Sequence, residues 1–105
     1  MVPQRHGENE MATLHIEHEI SDLETWLAAF GSFAQAREKG HVRTYRVYQP
    51  ADDGKYIVIH LDFDTVDEAE SFKTFLETNV WSNRESSPGL AGRPQTRVLE
   101  LVLPR

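Results

Sequence analysis

A chain of 105 residues has room for one domain and one hydrophobic core. Its formal net charge of −6 argues against broad electrostatic attraction to nucleic acid or an anionic membrane. The lack of cysteine removes disulfides, thiolate zinc sites, iron–sulfur clusters and a cysteine nucleophile together.

The charge is uneven. Arg84, Arg93, Arg97 and Arg105 stand against Glu85 and Glu100 in the last stretch, a basic end too thin to track phosphates. No apolar run is long enough to span a bilayer, and the N-terminus has no apolar signal core. A cytoplasmic protein is the simplest expectation, with neither nucleic acid nor membrane as partner.

Residues 1–10 (MVPQRHGENE) are polar, contain Pro3 and Gly7, and have no apolar period. They are expected to be a disordered tail ahead of a single domain over 11–105, with Met11 a candidate start of the functional chain. From Ala12 to Ile20 the residues alternate. Leu14, Ile16, His18 and Ile20 share one face, and Thr13, His15, Glu17 and Glu19 the other, which predicts a strand. Ser21-Asp22-Leu23-Glu24 reads as a capping box with Ser21 as the cap. One helix is predicted from there to about Lys39, with an inward stripe of Leu23, Trp26, Leu27, Phe30, Phe33 and Ala34. Gly31 inside it costs about 1 kcal/mol of helix propensity, which a close approach to the sheet would explain. Gly40 is the expected left-handed cap.

A weaker strand is predicted over His41–Gln49, suited to an edge, with Tyr45 and Val47 opposite Val42, Thr44, Arg46 and Tyr48. Pro50 to Gly54 is a turn by its chemistry. The next strand carries Ile57, Ile59, Leu61 and Phe63 on one face and Tyr56, Val58, His60 and Asp62 on the other. Thr65-Val66-Asp67-Glu68 caps a second helix running to about Val80. A loop is predicted over 81–95, and a last strand over Thr96–Leu103. Its leucines (Leu99, Leu101, Leu103) are assigned to the core, with Val98, Glu100 and Val102 opposite.

The order is βαββαβ. Right-handed crossovers place the first and third strands at the centre, expected parallel to each other, with the fourth and second outside. The fold class is ferredoxin-like α+β: a four-stranded antiparallel sheet with helices on one face. Its uncovered face would mix valine and tyrosine with histidines and carboxylates, which suits neither a core nor an ordinary solvated face.

Trp26-Leu27-Ala28-Ala29-Phe30 in the first helix and Asp67-Glu68-Ala69-Glu70-Ser71-Phe72 in the second, on this element order, resemble the dimeric α+β barrel proteins. These include antibiotic-biosynthesis monooxygenase-like proteins, small polyketide cyclases, muconolactone isomerases and stress-responsive barrel proteins. The likeness is nearest to small actinobacterial-type members, and the Asn, His and Trp set of the heme-degrading members is not placed here. The resemblance implies a homodimer, with a pocket between sheet and helices or where two sheets meet.

His15-Ile16-Glu17 and His60-Leu61-Asp62 are both His-x-carboxylate, on strands expected to be neighbours. An imidazole beside a carboxylate makes an oriented general base. The candidate catalytic set is therefore His60 as base with His15, Glu17 and Asp62 orienting it, acting without a cofactor as an oxygenase, cyclase or isomerase on a small organic molecule held in a pocket on the open sheet face. Two histidines and a carboxylate also match a divalent-metal donor set, although no metal is assigned. The competing reading makes these groups hydrogen-bonded members of a polar dimer interface in a non-catalytic binding or structural dimer. Tyr56, Val58, Tyr48, Trp81 and Arg97 are the candidate ligand-binding residues. Trp81 either packs as a loop anchor or lines a pocket. His18, on the helix side, is read as a structural histidine, and His41 as solvated.

Overall fold

The computed structural model describes residues 11–83, 85 and 87–104, so the tail expected over residues 1–10 lies outside the described residues. Four strands, β1 (Ala12–Ile20), β2 (Thr44–Tyr48), β3 (Tyr56–Phe63) and β4 (Leu90–Glu100), form one sheet in the order β2-β3-β1-β4. Helices α1 (Leu23–Ser32), α2 (Ala34–Lys39) and α3 (Val66–Phe75) pack on one face, and a π-helical turn over Leu76–Val80 extends α3.

All three strand pairings are antiparallel, including the central β1–β3 pair. The expected parallel centre is thereby corrected. A helical crossover restores the direction of β1 in β2, and the β2–β3 hairpin then inverts it, so β3 must oppose β1.

Strict alternation in β1 and β3 builds the core. Leu14, Ile16, Ile20, Ile57 and Phe63 are the largest fully buried side chains. Each contributes about 1.5–3 kcal/mol by leaving water. Trp26, Ala69 and Phe72 close over them from the helices. The predicted Thr65 cap holds, its side chain accepting from the Glu68 amide.

The first helical region departs from the expectation. Asp22, not Ser21, is the cap, and its carboxylate accepts from both the amide and hydroxyl of Thr25. The predicted single helix breaks at Phe33 (φ −99°, ψ 18°). There the Phe30 carbonyl accepts from the Phe33 amide and from Arg37 Nη1. Leu27 and Ala34, expected inward, are exposed. Gly31 has nothing near it, so no close approach explains it. Gly40 has φ −85°, and the left-handed position falls one residue later, on His41 (φ 74°). Gly40 is required for room instead: a Cβ there would collide with the Phe72 ring.

The last strand is longer and earlier than predicted, with its faces exchanged. Residues 90–95, read as loop, are strand. Gly92, in the left-handed region, sits where the β1–β4 register shifts between Glu17 and Glu19, so it lies at a bulge. Pro94 is tolerated because β4 is an edge. Val98 pairs with Leu14 and packs on the core, whereas Leu99 pairs with Thr13 on the open face. Leu101, Val102 and Leu103 lie past the strand and are exposed.

The two glycines should respond oppositely to alanine. Gly40→Ala is expected to lose about 1–3 kcal/mol through overpacking against Phe72. Gly31→Ala, in open space on a helix, is expected to be neutral or to gain about 0.5–1 kcal/mol. Urea denaturation of both variants measures the difference, and equal losses would contradict these placements.

Candidate functional site

The pleat carries the open-face side chains into two hydrogen-bonded groups. His15 sits opposite His60 in the β1–β3 register, and the two rings meet, Nδ1 of His15 being 3.0 Å from Nε2 of His60. His15 Nε2 lies 2.9 Å from Glu17 Oε2, and the Tyr56 hydroxyl donates to Glu17 Oε1 at 2.7 Å. The result is a chain Tyr56–Glu17–His15–His60. Glu17 fixes the proton of neutral His15 on Nε2, so His15 Nδ1 accepts from His60 Nε2–H. Neutral His60 then carries its lone pair on Nδ1. Hydrogen bonds from His15 and Tyr56 hold the Glu17 carboxyl below its usual value. Burial, with the nearby His15 and Arg46, lowers the pKa of His60 and favours the neutral ring.

Asp62 belongs to the second group and does not orient His60. Thr13 and Thr44, directly opposite it on β1 and β2, donate to its two oxygens at 2.7 Å each, and Arg46 Nη1 donates at 2.8 Å. Burial works to raise its pKa, but these donors and the Arg46 charge overcome it and hold the carboxyl below its ordinary value. Of the two His-x-carboxylate patterns, only His15–Glu17 is a bonded pair. Cross-strand neighbours reach Asp62 first.

The remaining sequence candidates divide between the faces. Tyr48 stands edge-on to the His60 ring at 5.5 Å. Val58 lies opposite both Glu17 and Tyr48, and Arg97 opposite His15. Trp81 is on the other side of the sheet, so it does not join the His60 group. Among the described residues, no three His, Asp or Glu side chains come together as a metal-ligand set.

Trp81 lines a cavity of about 80 Å³ between sheet and helices. Ile16, Ile59, Leu61, Trp26, Phe30, Phe33 and Phe72 form most of its apolar wall, and His18 and Arg37 are its titratable residues. His18 is 3% exposed. Its Nδ1 lies 2.8 Å from the Glu19 carbonyl oxygen, to which it donates, so Nε2 holds the lone pair. Burial lowers its pKa and keeps the ring neutral. The sequence places His18 on the helix side as a structural histidine and does not single out Arg37, although each left a signal. His18 alternates with Ile16 and Ile20 on the core face. Arg37 follows Phe30 by seven residues, two helical turns on the same side.

The shift at His18 has a consequence for stability. A neutral buried imidazole contributes stability that is present above the unfolded pKa, near 6.5, and is lost as pH falls below it, because the unfolded chain takes the proton first. Denaturation at successive pH values between neutral and mildly acidic should show stability falling in the wild type. The fall should be shallower in His18→Asn, whose amide can still donate to the Glu19 carbonyl. Parallel curves for the two proteins would remove His18 as a cause.

No protein-family model matches the chain, and no curated protein matches it in sequence. Solved structures do match. A dimeric ferredoxin-like protein from an uncultured marine organism is similar with a TM-score of 0.68 at 11% identity, covering 91% of this chain and 99% of its own. A "putative antibiotic biosynthesis monooxygenase" from Bordetella bronchiseptica gives 0.69 at 15% identity, covering 90% and 99%. A protein of the same description from Nitrosomonas europaea gives 0.62 at 14% identity, covering 97% and 98%. The likeness to actinobacterial-type members receives no support from these matches. At such identities the similarity is one of fold, and the fold is ferredoxin-like α+β.

Proposed function

We propose that the chain works as a homodimer closed through its open sheet face, each copy holding a small organic molecule in the cavity between sheet and helices. That cavity, apolar and fitted with His18 and Arg37, is the observation that carries the reading. The open face suits an interface. Its inner polar groups bond one another, as buried polar groups must. Around them Tyr48 and Leu99 are exposed, followed along the chain by Leu101, Val102 and Leu103, a concentration of apolar surface that marks an interaction site. The fold shared with a protein described as dimeric supports the same assembly. The composition without cysteine suits a cytoplasmic setting.

The activity we assign is monooxygenase-like or a related cyclase or isomerase reaction, needing no cofactor. The names given to two of the similar structures support the first of these. All three reaction types can open with the same step, removal of a proton beside a carbonyl or from a phenol to leave an electron-rich anion. His18 suits it: a neutral imidazole with its proton on Nδ1 and its lone pair on Nε2, lining an apolar cavity.

A second reading keeps the reaction on the open face, with His60 as base, His15 and Glu17 orienting it, and Asp62, Tyr48, Tyr56, Val58 and Arg97 around it. The Tyr56–Glu17–His15–His60 chain favours it, because it leaves the lone pair of His60 on Nδ1. That reading needs two facing sheets to enclose a space.

Two measurements separate these outcomes. Sedimentation should give a dimer at micromolar concentration for the wild type and a shift toward monomer for Leu99→Asp; a stable wild-type monomer would contradict the assembly. Oxygen uptake and absorbance changes should then be followed over a panel of phenols and 1,3-dicarbonyls. With a substrate in hand, His18→Asn is expected to lose about 10²–10⁴-fold in rate while His60→Ala retains activity. The reverse pattern moves the site to the open face, and no turnover of any member leaves a binding protein.

A further inference from the structure

Arg37 is a buried cation with no carboxylate partner among the described residues. It is 9% exposed. Its Nη1 donates to the Phe30 carbonyl at 2.6 Å. Its guanidinium carbon lies 3.8 Å from the centre of the Phe30 ring and 4.9 Å from that of Tyr45. Arg43 and Arg46 reach Asp64 and Asp62, but among the described residues no acidic side chain pairs with Arg37. The guanidinium stays charged in any ordinary medium and has five N–H donors, of which the Phe30 carbonyl and the Tyr45 hydroxyl satisfy a minority. Burying such a charge is costly unless an opposite charge compensates it. Two aromatic faces offset part of that cost, since cation–π contact attracts the charge without neutralising it. Arg37 also lines the cavity that His18 lines.

We propose that the cavity takes a small organic anion, its carboxylate or phenolate oxygen accepting from Arg37 and its apolar part lying among Trp26, Phe30, Phe33 and Trp81. This names the ligand class for the cavity and rests on the cavity being the ligand site. A planar fork of donors suits a carboxylate in two-point contact. The space of about 80 Å³ sets the size. It is roughly half of the ~150 Å³ cavity that holds benzene, so a single ring enters only with modest opening and a fused ring system is excluded. The anion supplies the charge that the fold leaves out, so binding should also stabilise the protein.

The chain has two tryptophans, and both line the cavity, so intrinsic fluorescence reads the site without a label. The test titrates benzoate and its neutral near-isostere benzamide into the full chain, following tryptophan emission and thermal stability. Benzoate should bind about tenfold tighter or better, as one charge-assisted pair would give. It should raise the melting temperature where benzamide barely does. Arg37→Gln should abolish the preference and keep the weak benzamide binding, and Arg37→Lys should retain part of it. Should Arg37→Gln fail to fold, the wild-type preference and the lysine variant still decide. Equal binding of the two probes by the wild type would overturn the anion proposal and leave the cavity as a neutral-ligand site. No response to either probe would overturn both.

Discussion

The antiparallel pairing of β1 with β3 governs the rest of the structure. Its register sets Leu14 against Leu61 and Ile16 against Ile59 on one face, and His15 against His60 on the other. A slip of one residue would turn every one of these side chains over. The apolar face therefore fixes the polar one. Leu14, Ile16, Ile57 and Phe63 hold the register by burial, and the imidazoles meet because of it.

The two faces treat polar groups in different ways. On the open face the carboxylate acceptors are answered. Asp62 has two threonines and Arg46, and Glu17 has His15 and Tyr56. A fully answered network favours one arrangement, which suits the dimer surface proposed for that face. On the helix face the polar groups are few and incompletely answered. His18 spends one nitrogen on a backbone carbonyl, and Arg37 has a carbonyl and aromatic rings where a carboxylate would be expected. Incomplete compensation beside a cavity is what a ligand site requires, since the ligand brings the missing partner.

Much of this was legible in the sequence wherever a single period ran unbroken. β1 was read to the residue, and the side assignments of β3 and of Thr44–Tyr48 in β2 followed from alternation, whereas Val42, assigned to the open face, lies before β2 and packs on the core. Legibility failed where the chain leaves its period. The shift opposite Glu17 and Glu19 hid the start of β4, and the alternation beyond it was anchored on leucines that lie past the strand end. At the break, the Phe33 amide and Arg37 both take the Phe30 carbonyl, an arrangement that helix propensity does not record. The candidate site was half visible. Alternation placed His15, Glu17, His60 and Tyr56 together, but it could not tell that Thr13, Thr44 and Arg46 take Asp62 away from His60. Nor could it give weight to Arg37, whose meaning depends on which partners are missing.

The division of labour between the faces is tested most directly by nitrogen NMR of the histidine rings during a titration with benzoate. The ring resonances of His18, which lines the cavity, should move, and those of His15 and His60, across the sheet, should hold their positions. Movement of His60 with His18 unchanged would place the ligand on the open face and contradict the assignment of the two faces.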